Sequence, residues 1–422
     1  MADRVTVIGW DGSPLDPAAR AALQAATLVA GAPRHLALPE IPSHAERIQL
    51  GSVPLAARRI AAHRGTAVVL ADGDPGFFGV VRDLRDPRHG LEVEVIPAVS
   101  AVAAAFARAS MPWDDARVVV ATRRTLRRAV NVCRAHPKVA VLTSPGAGPA
   151  EIALLLGGVH RTFVICESLG TPRERVSVLT SDNVTQHGWT DPNVVLVIGG
   201  TVPAAASGWL AGTDPGHDAQ PRGWGLEPEE YEQPAPPGGH GTGGDPRLRA
   251  LQLADLGPGT GDLLWDVGAG CGLVGIEAAR LGAAVITVDR DARACAVIGA
   301  TARRQGLQVE VVNGPAPSVL AGLPEPDLVR VGAGGTRTLA ACADRRPQRI
   351  VTHVLTRDQA EAAGRILRGA GYEVRCTLVQ SVELRTADWS ERHRSVAFLL
   401  TGRRPAAASA ARTAPNGPAS HP

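Results

Sequence analysis

The sequence has little lysine, few aromatic residues and no paired cysteines, and each shortage excludes a kind of site. Lys138 is the single lysine among 44 basic residues, so no other position can form a Schiff base or serve as a phosphate-loop lysine. The six cysteines form no CxxC pair, which predicts reduced, buried thiols of a cytoplasmic protein and no metal site. Aromatic residues make up 3% of the chain, so the core must consist mainly of Ala, Val and Leu.

Long apolar runs and a strong net charge are also missing. No stretch approaches about 18 apolar residues without a charge, so we expect no membrane span. The opening MADRVTVIGW enters a strand-like run at once and does not have the pattern of a signal peptide. The formal net charge is only +3, which gives no indication of nucleic-acid binding.

Two parts of the chain alternate short apolar runs with amphipathic stretches, a pattern that predicts α/β domains. In the first part we expect helices at 16–30 and 149–156, and strands at 5–8, 67–70, 93–96, 117–121, 138–142, 162–166 and 194–198. In the second part we expect a helix at 273–280 and parallel strands at 263–267, 284–288, 308–312, 328–331 and 349–354. A closing antiparallel pair should follow at 372–380 and 395–400.

These patterns predict a first domain at 1–202, a Pro/Gly-rich linker at 203–246, a second domain at 247–404 and a disordered tail at 405–422. The linker ends in EQPAPPGGHGTGGDP, which cannot sustain helix or sheet hydrogen bonding.

The segment LLWDVGAGCG at 263–272 carries the clearest chemistry. Its strand delivers Asp266 and then Gly268, Gly270 and Gly272, which let the backbone approach a ligand at the start of a helix. Asp289 ends the next strand, where a carboxylate can accept hydrogen bonds from ribose hydroxyls.

Three interpretations of this segment are open. With Gly275, the glycines also fit the GxGxxG pattern of nicotinamide- or flavin-binding folds, and a glycine turn without a ligand is another possibility. Asp266 favours S-adenosylmethionine (SAM). So does NGPAP at 313–317, where an adenine ring can lie against small residues.

Two loops follow apolar strands in the first domain. They are ADGDPGFFG at 71–79 and PAVSA at 97–101, at the strand ends where open α/β sheets bind ligands. Asp74 also fits a turn former and Ser100 also fits a helix N-cap, so both alternatives stay open.

Five separated motifs of the first domain, VIGWDG, GAPRHL, GDPGFFG, PAVSA and ESLGTPRER, resemble the tetrapyrrole methylase family, the second and fifth its CbiE branch. LWDVGAGCGLVGIEAARL, VITVDRDARA, VEVVNGPAPSVLAGLPEPDLV and VGAGG resemble the CbiT methyltransferases. Together they resemble the fused CobL-type family. The implied fold class is an N-terminal tetrapyrrole-methylase α/β domain followed by a Rossmann-like class I SAM-methyltransferase domain.

This resemblance implies a SAM-dependent enzyme of cobalamin biosynthesis, with one SAM in each domain and a precorrin as substrate. The first domain would methylate C5, and the second would methylate C15 and decarboxylate the C12 acetate. We also expect a homo-oligomer with no nucleic-acid or membrane partner, in which arginines bind the substrate carboxylates. The implied SAM contacts are Asp72, Gly73, Asp74, Phe77, Ser100, Ala101 and Thr143 in the first domain, and Gly268, Ala269, Gly270, Cys271, Gly272, Asp289 and Ala316 in the second.

The second domain departs from the CbiT pattern on its substrate side. Where the family has a Thr-Lys pair near SAM, Thr242 alone remains, and RS at 394–395 replaces Asn-Pro. His353 replaces an asparagine, and its imidazole can contact a substrate carboxylate, protonate the carbon that loses carbon dioxide, or merely cap a strand. In the first domain, ATRR at 121–124 replaces the family's His-Gly-Arg.

These departures leave two alternatives to the bifunctional enzyme. In one, only the first domain methylates, and the second binds SAM without full decarboxylating activity. In the other, the chain is a non-catalytic tetrapyrrole-binding or pathway-assembly protein.

Overall fold

The computed structural model describes residues 4–51, 53–200, 211–212, 223–225, 231 and 245–405. The chain divides into two compact units, the first made mainly of residues before 200 and the second mainly of residues after 214. Thr242, most of the predicted linker and the tail beyond 405 lie outside the described residues.

The first unit begins with parallel strands joined by helices. The strands are β1 (Arg4–Trp10), β2 (Leu28–Gly31), β3 (Glu46–Gln49), β4 (Ala67–Asp72) and β5 (Glu92–Ile96). The helices are α1 (Pro17–Gln24), α2 (Pro33–Leu36), α3 (Val53–Ala62), α4 (Val80–Leu84) and α5 (Ala101–Arg108). The sheet order is β3-β2-β4-β1-β5. The predicted helix at 16–30 is wrong beyond Gln24, because the buried run that follows pairs with β4 as strand β2.

A second, mixed sheet completes this unit. Its strands are β6 (Arg117–Val120), β7 (Lys138–Leu142), β8 (Thr162–Glu167), β9 (Arg175–Thr180) and β10 (Asn193–Ile198), in the order β6-β7-β10-β8-β9. Its helices are α6 (Leu126–Ala135), α7 (Pro149–Leu156) and α8 (Ser181–Val184). Only β6 and β7 are parallel. The sequence did not predict β9, an edge strand whose side chains are mostly exposed.

The second unit is one seven-stranded sheet in the order β13-β12-β11-β14-β15-β17-β16. The strands are β11 (Leu263–Val267), β12 (Ala284–Asp289), β13 (Val309–Asn313), β14 (Leu328–Val331), β15 (Arg349–Val354), β16 (Glu373–Leu384) and β17 (Glu391–Arg403). The helices are α9 (Pro246–Leu256), α10 (Leu273–Arg280), α11 (Ala292–Arg304), α12 (Gly335–Asp344) and α13 (Arg357–Gly369).

The topology of the second unit confirms the prediction of five parallel strands closed by an antiparallel pair. Trp265, Ile286, Val329 and Ile350 form the centre of its core and are at most 1% exposed. None of the helices in the described part of the chain is long and apolar enough to cross a bilayer.

Two candidate cofactor sites

A cavity of about 520 Å³ lies in the first unit, next to the carboxyl ends of β1, β4 and β7. All seven residues predicted for the first SAM site line it: Asp72, Gly73, Asp74, Phe77, Ser100, Ala101 and Thr143. Further lining residues come from stretches that carry the family motifs but were not assigned to the site, among them Trp10, Asp11, Gly12, Arg34 and Gly170. These residues lie in the motifs VIGWDG, GAPRHL and ESLGTPRER, and this position in the sequence could have identified them as site residues.

Glycines bring the loops around this cavity close together. Gly73 has a φ of +58°, and a Cβ there would lie 2.9 Å from the carbonyl oxygen of Val99. A Cβ on Gly12 would lie 1.7 Å from the carbonyl oxygen of Gly170, and one on Gly170 equally close to that of Asp11. Side chains at these positions would therefore force the loops apart.

Asp72 is a carboxylate of the cavity with a strongly lowered pKa. Its Oδ1 accepts hydrogen bonds from Nε2 of the buried His35 at 2.5 Å and from Nε of Arg34 at 3.0 Å. Burial opposes ionisation, but these bonds outweigh it and lower the pKa of Asp72 to about 2. Nδ1 of His35 accepts the amide of Ala32 at 3.3 Å, so the proton on this ring sits on Nε2 and points at Asp72.

The other arginine of the cavity is paired as well. Arg108 forms an ion pair with Glu174, and its hydrogen bond to the carboxylate lowers the pKa of Glu174. Glu174 also accepts the amide of Gly170 at 2.8 Å, so the pair holds the loop that contains Gly170. Both cavity arginines, Arg34 and Arg108, are thus neutralised by carboxylates.

Three predicted site residues also have local structural roles. Asp74 accepts the amide two residues further on at 2.8 Å, which confirms the turn, and Ser100 accepts the amide three residues further on at 3.1 Å, which confirms the N-cap of α5. Thr143 donates to Asn193 at 2.7 Å. Because all three line the cavity, these roles do not exclude contact with a ligand.

In the second unit, a glycine turn joins β11 to α10. Gly268, Gly270 and Gly272 have φ values of +65°, +58° and +71°. Gly270 donates its amide to Oδ2 of Asp289 at 2.8 Å, and the amide of Asp291 binds Oδ1 at 2.9 Å. Asp289 therefore holds the turn in place and still has lone pairs for hydroxyl donors.

A buried ion pair supports the same turn from behind. Asp266 is wholly buried; its two oxygens accept from Arg330 at 3.0 Å and from the amide of Gly275 at 3.0 Å. Burial raises the pKa of Asp266, and the charge of Arg330 opposes this rise. Arg330 also donates to Gln252 at 3.1 Å and to the carbonyl of Gly268 at 3.3 Å. The sequence signals for this pair were two charged residues in apolar strands, Asp266 and Arg330.

The remaining predicted contacts lie around this turn and the next strand ends. Ala269 is buried, and Cys271 is half-buried, with a pKa raised by burial and then by the charge of Asp289. Ala316 follows β13, the strand beside β12, and is half-buried. The carbonyl of Ala316 accepts from Thr338 at 3.5 Å.

Part of the predicted linker belongs to the second unit. Glu277 accepts hydrogen bonds from Tyr231 at 2.5 Å, from Arg249 at 2.6 Å and from the amide of Gly225 at 2.5 Å. Tyr231, Arg249 and Glu277 are buried, and Tyr231 belongs to the same hydrophobic cluster as Ala269 of the glycine turn. The Pro/Gly content of this segment predicted a linker, so the contact between Tyr231 and Glu277 could not be predicted from the sequence.

The residues that depart from the CbiT pattern have defined surroundings. His353 is half-buried near the end of β15, where burial and then the charge of Arg330 lower its pKa to about 4. Its imidazole is therefore neutral at neutral pH. The hydroxyl of Ser395 donates to Asp245, the N-cap of α9, so this departure joins β17 to α9.

Comparison with known proteins gives the family of the chain. The family model for tetrapyrrole (corrin/porphyrin) methylases matches residues 13–185, and the model for the precorrin methyltransferase domain matches residues 243–392. A precorrin-6Y C5,15-methyltransferase (decarboxylating) of Sinorhizobium is 32% identical over 342 residues, 78% of each chain. This chain belongs to the precorrin-6Y C5,15-methyltransferase family.

A shorter protein and a single domain match parts of the chain. A cobalt-precorrin-7 C5-methyltransferase of Salmonella typhimurium is 37% identical over 182 residues, which are 41% of this chain and 88% of that one. The crystal structure of the C-terminal domain of the Rhodobacter capsulatus precorrin-6Y C5,15-methyltransferase is similar to 43% of this chain and 98% of that one, with 26% identity and a TM-score of 0.38. The match to this fused family confirms the resemblance drawn from the motifs.

Proposed function

We propose that this chain methylates a precorrin at C5 and C15 and decarboxylates its C12 acetate side chain, as a SAM-dependent enzyme of cytoplasmic cobalamin biosynthesis without nucleic-acid or membrane partners. The observation that carries this proposal is the cavity of the first unit, which gathers all seven predicted contacts. The glycine turn of the second unit supports the second methylation.

The described residues fit one SAM in each unit. SAM supplies a methyl group on a cationic sulfonium. In the first unit, Asp11, whose pKa is lowered, gives the cavity wall negative charge that favours a cation, while Phe77 adds an apolar surface. In the second, a Cβ on Gly270 would meet no atom within 4 Å, so the turn leaves open space beside Asp289.

The protein's main contribution to methyl transfer is positioning, because an activated methyl group needs a carbon nucleophile aligned with it. In the first unit, the ion pairs of Arg34 and Arg108 fix the loops that shape the cavity. In the second, Arg330 and Asp266 fix the glycine turn. These contacts orient the site without taking part in bond formation.

We assign His353 to the substrate side of the second unit. It lies near the carboxyl end of a parallel strand of the sheet, where α/β folds bind ligands. Because its pKa is lowered to about 4, the imidazole of His353 is neutral at neutral pH. A neutral imidazole can donate a hydrogen bond to a substrate carboxylate or accept a proton.

Mass spectrometry after incubation of the full chain with precorrin-6Y and SAM tests the proposal. Gain of two methyl groups with loss of carbon dioxide is the expected result. One methyl group alone would favour an enzyme in which only the first unit is active. An unchanged substrate would favour a binding or assembly protein.

We further propose that the chain forms a homo-oligomer through the β16–β17 hairpin. β16 is an edge strand of twelve residues that exposes Leu378, Val382 and Leu384, and Trp389 in the connecting turn is 72% exposed. Exposed apolar edges of this kind pair with other chains. Light scattering should give a multiple of the 43.8 kDa chain mass, and Leu378→Asp should lower it. A monomer in both cases contradicts this proposal.

A further inference from the structure

Four arginines lie together where β6 leads into α6. Arg123, Arg124, Arg127 and Arg128 are all exposed, and the first turn of α6 contains no acidic residue. Within the described parts of the chain, Arg123, Arg124 and Arg128 form no ion pair. Like charges repel one another and the positive end of a helix, so an ion pair within the fold does not account for Arg123, Arg124 and Arg128.

This arginine cluster begins just after β6, the strand next to β7, whose end lines the cavity of the first unit. β6 and β7 are parallel, and Val120 at the end of β6 pairs with Leu142, which lines the cavity. The chain continues from Leu142 into Thr143, another lining residue, and then to Gly146. The side chain of Arg123 lies on that loop, since a Cβ on Gly146 would be 2.5 Å from Nε of Arg123.

The charges inside the cavity show why a further basic surface is needed. Arg34 is paired with Asp72, and Arg108 is paired with Glu174. A ligand with several carboxylates would have to break one of these pairs to use either arginine. Arg123, Arg124 and Arg128 of the adjacent cluster offer guanidinium groups that form no ion pair with a carboxylate of the described chain.

We propose that Arg123, Arg124 and Arg128 form a carboxylate-binding rim, which holds the acidic side chains of a tetrapyrrole at the mouth of the first cavity. This inference rests on the proposed function and names the groups that bind its polycarboxylate substrate. Guanidinium groups bind carboxylates through paired hydrogen bonds, so the rim gives both affinity and orientation.

Binding of uroporphyrin to the full chain tests the rim, because this tetrapyrrole carries many carboxylates and can be titrated by fluorescence. The double variant Arg123→Gln/Arg124→Gln should weaken porphyrin binding about tenfold or more, with a smaller dependence on salt. SAM affinity and the melting temperature should not fall. A matched control, Arg58→Gln/Arg82→Gln, removes the same charge from exposed positions on α3 and α4 and should leave porphyrin affinity unchanged.

The outcomes separate the rim from the proposed function. Equal porphyrin affinity in the unaltered protein and in Arg123→Gln/Arg124→Gln would contradict the rim proposal but not the proposed function. If the control variant weakened porphyrin binding equally, the effect would come from net charge alone, which would also contradict the rim proposal. If the unaltered protein bound no porphyrin, the result would contradict both the tetrapyrrole site and the rim proposal.

Discussion

The two units hold their candidate cofactor sites by opposite arrangements of charge. In the first unit the charged groups face the ligand space: Asp72, Arg34 and Arg108 all line the cavity. In the second unit the ion pairs lie behind the glycine turn, where Asp266 and Glu277 are at most 1% exposed. Substitutions in the first site should therefore affect ligand binding more than the free energy of unfolding. Substitutions behind the second site should affect the free energy of unfolding more than ligand binding.

The largest expected effect is loss of SAM binding by one unit alone. In Gly73→Val, the new side chain clashes with the Val99 carbonyl in a left-handed conformation, so calorimetry should show one SAM-binding event where the unaltered protein shows two. Methylation at C5 should disappear, while the affinity of the second unit stays the same.

Gly90→Val is the matched control for this steric effect. Gly90 has a φ of +62°, close to the +58° of Gly73, but a Cβ there meets no atom within 4 Å. The control therefore carries the conformational strain without the clash. Loss of both binding events in Gly73→Val would contradict the independence of the two sites.

Buried charge behind the second site should produce the next largest effect. Glu277→Gln leaves the wholly buried Arg249 without its carboxylate and should lower the free energy of unfolding of the second unit by about 3–5 kcal/mol. Urea denaturation measures this loss. Glu361→Gln breaks an exposed ion pair with Arg357 and should cost less than about 0.5 kcal/mol. Similar losses of unfolding free energy in Glu277→Gln and Glu361→Gln would contradict a larger role for the buried ion pair.

Local signals in the sequence predicted the strand-to-glycine turn of the second unit and most of the strands. The helix prediction at 273–280 matches Leu273–Arg280, because an apolar strand, glycines and a helical run follow one another directly. β2 was missed because its four residues continue an apolar pattern that also fits a helix.

Partners distant in sequence could not be predicted in this way. Arg330 lies 64 residues from Asp266, and Tyr231 lies 46 residues from Glu277, in a segment with the composition of a linker. Only the fold brings these groups together. The lowered pKa of His353 has the same origin, because it depends on burial and on Arg330 of the neighbouring strand.

His353 tests whether the second site is specialised for decarboxylation. His353→Ala should lower decarboxylation roughly a hundredfold and leave SAM affinity unchanged. His353→Asn, which introduces the residue of the CbiT pattern, serves as the control and should retain more activity. Unchanged turnover in His353→Ala would eliminate the catalytic assignment. Equal losses in SAM binding and turnover would make its role structural.

A smaller effect is expected at the ribose position of the second site. Asp289→Ala should weaken SAM binding by about 1–3 kcal/mol, because hydroxyl donors lose a charged acceptor and the Gly270 amide loses its partner. Asp289→Asn keeps an acceptor for the turn and should lose less. Calorimetry on the full chain should show the change in one of the two binding events, and a change in both would contradict separate sites.

The smallest expected effect is the acid sensitivity of the first unit. The pKa of Asp72 is about 2 in the folded protein and about 3.9 in an unfolded chain, so its contribution is present above pH 4 and is lost as the pH falls toward 2. Because the side chain is about half exposed, solvent screening should limit this contribution to less than about 1 kcal/mol.

Urea denaturation of the full chain and of Asp72→Asn at pH 5 and at pH 2.5 measures this contribution. The substitution removes the charge that His35 and Arg34 stabilise, so it should destabilise the first unit at pH 5 and much less at pH 2.5, where Asp72 begins to be protonated in the unaltered protein as well. A destabilisation of equal size at the two pH values would show that Asp72 acts through shape rather than charge. The contrast between ligand-facing charges in the first unit and buried charges in the second would then fail at Asp72.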